Sequence, residues 1–225
     1  RLTNREHSNT LQDLLFLTAR PTEAIQENAL GASGFTNDAN VLTVSPVLLS
    51  SVYEQAEQLA ASVVATKSTT NGSWSKLVKC QPAATTCATE TVRRLARRAL
   101  RRQPTMEDET ALMEVFRAAG SFDQGVSDVI VTLLIHPEFL MVPIVDARSQ
   151  DPSARFELDD DEVAARLSFF LWQSMPDDTL FALADSGRLK EPAQLQAQLV
   201  RMLRDPRAVR FKELLRDELA GLRAL

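Results

Sequence analysis

A chain of 225 residues with 44% apolar content is long enough to bury one large core or two small ones. Its net charge of −5 argues against non-specific nucleic-acid binding, which works by neutralising phosphates. Seven glycines exclude a fibrous composition, and no apolar run approaches the roughly 20 residues of a membrane helix; the longest, at 129–135, reads as core. Beginning at Arg1 without methionine or signal peptide, the chain reads as an excised or processed fragment.

Taken in order, residues 1–17 read as a helix: Thr3 and Glu6 have capping-box spacing, and Leu11, Leu14 and Leu15 form its buried stripe. Residues 18–44 lack periodicity and read as a long ordered loop, a binding loop or a plain connector, with a weak strand candidate at 39–44. Ser45-Pro46 is an N-cap followed by a first-turn proline, opening a helix of about five turns through Leu48, Leu49, Val52, Ala56, Leu59, Ala60 and Val63. Residues 67–86 shift to Ser, Thr, Gly and Pro and read as a module boundary; Asn71-Gly72-Ser73 there fits a glycosylation pattern or a polar turn. Residues 89–102 form a strongly amphipathic helix. Val92, Leu95, Ala96, Ala99 and Leu100 take one side and six arginines (Arg93, Arg94, Arg97, Arg98, Arg101, Arg102) the other.

Pro104 ends that helix and Thr105 caps the next, whose buried face is Leu112, Val115 and Phe116. Gly120-Ser121 resets the chain for a helix through Val129, Leu133 and Leu134, stopped by His136-Pro137. Residues 143–157 read as a second linker. Asp159 and Glu162 then cap a helix with Val163, Leu167, Phe170 and Leu171 on one face, widened by Phe169 and Trp172. Pro176 breaks it and opens the next helix, with Asp177 and Asp178 in its first turn, Leu180, Phe181, Leu183 and Ala184 buried, and Gly187 as terminator. Pro192 starts a helix through Leu195, Leu199, Met202 and Leu203; Asp205-Pro206 starts the last, with Val209, Phe211, Leu214, Leu215 and Leu219. The pattern predicts an all-α fold, an orthogonal multi-helix array of about nine helices with long loops.

The chemistry is sparse. No G-x-S-x-G, H-E-x-x-H or phosphate-binding glycine loop occurs. Asp177 and Asp178 are adjacent, so a helix would not face them at each other as an acid/base pair. The acidic run 159–162 lacks the spaced oxygens and glycine of a calcium loop and reads as helix capping. The arginine stripe can receive an oxyanion through bidentate guanidinium forks, or pair internally with Glu107, Asp108, Glu109 and the 159–162 block. Trp172 and its phenylalanines read as core packing rather than a stacking platform.

The stretch DEVAARLSFFLWQSMPDDTLFALADSGRL, followed by QLVRMLRDPRA, resembles a secreted bacterial helical module of planctomycetes and myxobacteria. RLTNREHSNTLQDLL with FTNDANVLTVSPVLL, and RRLARRALRRQPTMEDE with LLIHPEFL, resemble its companion modules in the same order. Such modules accompany c-type cytochrome domains in large exported proteins, and their own activity is unassigned. The resemblance implies a bacterial protein in the periplasm or outside the cell. In that setting Cys80 and Cys87, the only two cysteines, read as a disulfide, with two unpaired thiols as the alternative; their spacing fits neither a zinc site nor C-x-x-C-H.

Three modules are expected, packed separately or as one unit: residues 1–66, a disulfide-stapled 67–145 carrying the arginine helix, and a four-helix 146–225. The functional expectation is a non-catalytic scaffold or interaction module, partnered with flanking cytochrome-type domains of the same or another exported protein. The alternative is the substrate-facing helical part of an exported oxidoreductase. No metal or cofactor is expected within these residues, and c-type haem is expected only in flanking domains. His7 and His136 are the only histidines. Members of the family commonly carry tyrosine and serine at the matching positions, so a bis-histidine haem is not the expected reading.

Overall fold

Thr3 begins the first helix by satisfying a backbone N–H that the helix itself cannot reach. In the computed structural model, which describes residues 1–21, 42–142 and 157–219, its hydroxyl accepts from the Glu6 N–H and the Glu6 carboxylate accepts from the Thr3 N–H. That capping box opens α1 (Asn4–Leu14). Residues 22–41, which hold most of the expected loop and half of the strand candidate, and 143–156, which hold most of the second linker, lie outside the described residues; the rest of the candidate, 42–44, forms no strand. The fold is all-α, with nine helices of eight residues or more and two short ones among the described residues. The chain divides into two compact units, Arg1–Met141 and Val142–Leu225.

In the first unit, Ser45 caps α2 (Pro46–Ala65) through the Leu48 N–H. Its buried face is Val52, Ala56, Ala60 and Val63, whereas Leu49 points outward. Small residues at positions 56 and 60 let α6 (Phe122–Leu134) pack close, and that approach fixes the rotation of α2. The expected boundary at 67–86 contains a buried turn, α3 (Ser73–Leu77), whose Trp74 and Leu77 enter the core. Trp74 meets the Phe122 ring edge-on at 6.3 Å.

Next comes α4 (Cys87–Leu100), which ends on Arg101 in the left-handed region at φ 61°, three residues before Pro104. Thr105 and Asp108 make a second capping box at the start of α5 (Met106–Ala118), which buries Leu112 and Met113 and leaves Val115 and Phe116 half-buried. A Cβ on Gly125 of α6 would lie 2.8 Å from the Phe116 ring, so only glycine admits this contact between α5 and α6. His136 caps the short α7 (Pro137–Leu140), its Nδ1 accepting from the Glu138 N–H.

The second unit starts with the expected capping box of Asp159 and Glu162 on α8 (Asp160–Trp172). Its buried side is Ala164, Ser168, Leu171 and Trp172, so the face is turned from the expected one, and Phe170 is 60% exposed against Phe211, ring centres 5.0 Å apart. The indole of Trp172, wholly buried, sets that rotation. Gln173, left-handed at φ 50°, stops the helix ahead of Pro176. Asp177, rather than Pro176, caps α9 (Asp178–Asp185). Gly187 at φ 67° ends α9 in a Schellman arrangement: its N–H donates to Ala184 and the Arg188 N–H to Leu183. Then follow α10 (Pro192–Arg204), a 3-10 turn at Pro206–Ala208 and α11 (Val209–Leu219). Ala164, Leu171, Trp172, Leu180, Leu189 and Met202 make the core, while Leu203 and Val209, expected inside, face out.

Candidate functional site

The arginine helix offers the densest charge. Its six arginines do not share one outer face: Arg97, Arg98 and Arg101 are buried, Arg94 and Arg102 half-buried, and Arg93 exposed. Arg101 sits beyond the helix end because the left-handed turn swings it toward α7. There its guanidinium donates to the carbonyls of Ala99, Glu138, Phe139 and Met141. Carbonyls at the end of a four-residue helix have no intrahelical donors, so a buried cation fits them. Burial pushes the Arg101 guanidinium down to about 10, with Glu138 and Glu6 opposing, and it stays charged at neutral pH.

Arg102 forks onto both oxygens of Glu138 (2.8 Å each) and reaches Asp108 at 2.7 Å. These hydrogen bonds raise its pKa, and Arg102, ahead of the Thr105 contacts, holds the Asp108 carboxyl at about 2. Arg93 makes a bidentate pair with Glu109 at 2.6 and 2.8 Å. Arg98 donates to the Asp13 carbonyl at the end of α1 and stacks over Phe16, 4.6 Å from the ring centre. Of the acidic partners expected from sequence, the structure brings Asp108 and Glu109 to the arginines; Glu138 was not foreseen.

Cys80 and Cys87 form a disulfide, with Cα atoms 5.5 Å apart. Cys87 is wholly buried as the first residue of α4, so the bridge ties the preceding turn to the arginine helix. His7 is buried on α1 and His136 caps α7; each has a packing or capping role, and they are not brought together as a ligand pair by any contact among the described residues. Among the described residues no three His, Cys, Asp or Glu side chains gather as a metal site, and no helix is long and apolar enough to cross a membrane. A shallow depression on α5 is lined by Met106, Glu107, Thr110, Ala111 and Glu114.

Sequence reasoning missed a second charged cluster, around Trp172. Asp177 accepts two hydrogen bonds from Arg201 (2.6 and 3.1 Å) while capping α9. Arg207 pairs with Asp205 and lies over the indole, 3.5 Å from the ring centre. The indole Nε1–H donates to the Met202 carbonyl at 3.1 Å. The aspartate at a helix cap and the arginines of RMLRDPR were visible as types, but nothing in their spacing pairs positions 24 and 30 residues away.

Three comparisons bear on these elements. Residues 1–65 match PSD3, residues 87–143 match PSD5 and residues 158–225 match PSD4, each described as a protein of unknown function (DUF1587, DUF1595 and DUF1592). Three domains of unknown function follow one another along the chain. The arginine staple on α7 falls wholly within the PSD5 stretch, and the Trp172 cluster within PSD4. The disulfide joins the first matched residue of PSD5 to Cys80 outside it. No curated protein and no solved structure matches the chain.

Proposed function

We propose that this chain is a non-catalytic scaffold or interaction module of a larger exported bacterial protein, assembled beside c-type cytochrome domains that lie outside these residues. The observation that supports the reading is how the charged side chains are used. Arg101 and Arg102 are spent on α7 and the α5 cap, and Arg201 and Arg207 on Asp177, Asp205 and the Trp172 ring. Groups committed to internal hydrogen bonds hold helices in place and are not available to activate a nucleophile or a water. The Cys80–Cys87 bridge agrees with an oxidising compartment.

Expression of the tagged chain in the periplasm, and recovery from the exported fraction of its source, tests this. The expected result is a colourless chain when purified alone, which captures a polypeptide that stains for covalent haem. A Soret band that stays with the isolated chain through gel filtration, and is lost in His7→Ala or His136→Ala, would overturn the scaffold reading. Capture of no haem-bearing polypeptide would overturn the cytochrome association.

A further inference from the structure

α1 is a polar helix buried on most sides, and His7 lies among its buried residues. The imidazole is 2% exposed, packs edge-on to the wholly buried Phe139 of α7 at 5.9 Å, and its Nε2 finds no hydrogen-bond partner among the described residues. The neighbouring Ser8 hydroxyl, also buried, finds none there either. A neutral ring tolerates that seat, whereas an imidazolium needs an acceptor or water.

The charged groups around the seat do not supply one. Arg1 precedes the helix and Arg101 lies on the α7 carbonyls, both positive. The Glu6 carboxylate is turned to Thr3, its Oε2 accepting from the Thr3 N–H and hydroxyl, and both oxygens of Glu138 are held by Arg102. Arg97 and Arg98 are buried on α4, Arg98 on the Asp13 carbonyl at the other end of α1, and Arg5 precedes His7 on α1 itself. We propose that His7 is an acid-sensitive latch: when its imidazole takes a proton, α1 leaves its seat on α7 and uncovers Leu2, Leu11, Leu14 and Leu15.

Several ties would have to open. Among those seen are the Leu2 N–H on the Leu140 carbonyl, Arg98 on the Asp13 carbonyl and the Ser73 hydroxyl on the Phe16 carbonyl. The sign follows from linkage. Burial first, then the charge of Arg1, lowers the seated imidazole from 6.5 to about 4, so the released helix binds the proton more tightly. Docking is therefore fully favoured above 6.5 and is lost as pH falls toward 4. Across that window the released fraction rises by up to tenfold per pH unit, on the order of a few hundred-fold in all.

Hydrogen exchange of the whole oxidised chain, followed from about pH 7 to about pH 4 and corrected for intrinsic rates, reads this directly. The expected result is opening of α1 that steepens through the window while α6 stays protected. His7→Phe, which keeps the ring edge on Phe139 and cannot take a proton, should leave α1 closed. His7→Gln serves if the phenylalanine does not seat. An NMR titration of the His7 ring in the wild type, assigned by its loss in His7→Gln, supplies a readout independent of either variant's fold. Equal acid opening in wild type and both variants, simultaneous opening of α1 and α6, or a ring that titrates at its ordinary 6.5 would each overturn the latch.

Discussion

The guanidinium carbon of Arg207 lies 3.5 Å from the centre of the Trp172 indole, over a ring with no solvent exposure. The stack closes the 3-10 turn after α10 onto the end of α8, and the indole N–H bonds the Met202 carbonyl from the other direction. One side chain therefore joins three elements of the second unit. Trp172→Ala should cost about 3–5 kcal/mol, the range for a truncated buried aromatic. Arg207→Lys keeps the charge and loses the planar stack and the fork onto Asp205, and should cost about 1 kcal/mol. Urea denaturation of both variants checks the order; an unchanged Trp172→Ala midpoint would remove the indole from the core.

Asp177 carries the same region electrostatically. Burial pushes its carboxyl up, but the Arg201 fork, the Leu180 N–H and the Arg201 and Arg207 charges outweigh it and leave the pKa below its ordinary 3.8. A depressed folded value means stability that is present above the unfolded pKa and is lost as pH falls through the folded one. Asp177→Asn should lose about 1–3 kcal/mol at neutral pH, since Arg201 keeps a weaker acceptor. The gap from wild type should begin to narrow below the ordinary 3.8 and close as pH falls through the depressed native value. Thermal melts of the two proteins at a series of pH values show whether it does.

Local signals carried most of the helical fold. Thr3, Ser45, Thr105 and Asp159 cap helices through short-range bonds that the sequence displays directly, whereas Asp177, read as a first-turn residue behind Pro176, is itself the cap. What local pattern could not give was rotation about the helix axis. Phe170 and Leu171 are both large and apolar, and only packing of Ala164 and Trp172 against α9 and α10 decides which of the two turns inward. The arginines show the same limit. Periodicity placed six on one side of a helix, but a left-handed residue at 101 ends the helix and redirects the last two toward α7. An arginine in the left-handed region carries no signature like that of Gly187, so the α7 staple was out of reach.

Cys80 and Cys87 close a short loop at the start of α4. The chain-entropy account gives a bridge of that span roughly 2–3 kcal/mol. Protein from an oxidising compartment should resist alkylation until reduced, as read by intact mass. The double replacement Cys80→Ser and Cys87→Ser should lower the melting temperature. Because Cys87 is wholly buried, the fraying should begin at the first turn of α4 and spare its last turn, where Arg97, Arg98 and Arg101 hold on. Exchange protection along α4 distinguishes that pattern from uniform loosening.

Arg101 separates a structural arginine helix from a ligand-binding one. Its guanidinium is buried on four carbonyls, three of them in or just after α7. Arg101→Met keeps the left-handed strain and strips every donor, and should cost about 3–5 kcal/mol, the scale for breaking a buried charged contact. Arg101→Gly loses the same donors but relieves the backbone, so it should be less damaging by about 1 kcal/mol. Arg93→Gln, which breaks an exposed pair with Glu109, should leave stability within error at physiological salt. If the segment instead served to bind an oxyanion, this order would invert in function. Wild type would be held on a heparin matrix at physiological salt, Arg93→Gln would release it, and Arg101→Met would melt like the wild type. A chain with net charge −5 that buries three of these six cations is expected to flow through.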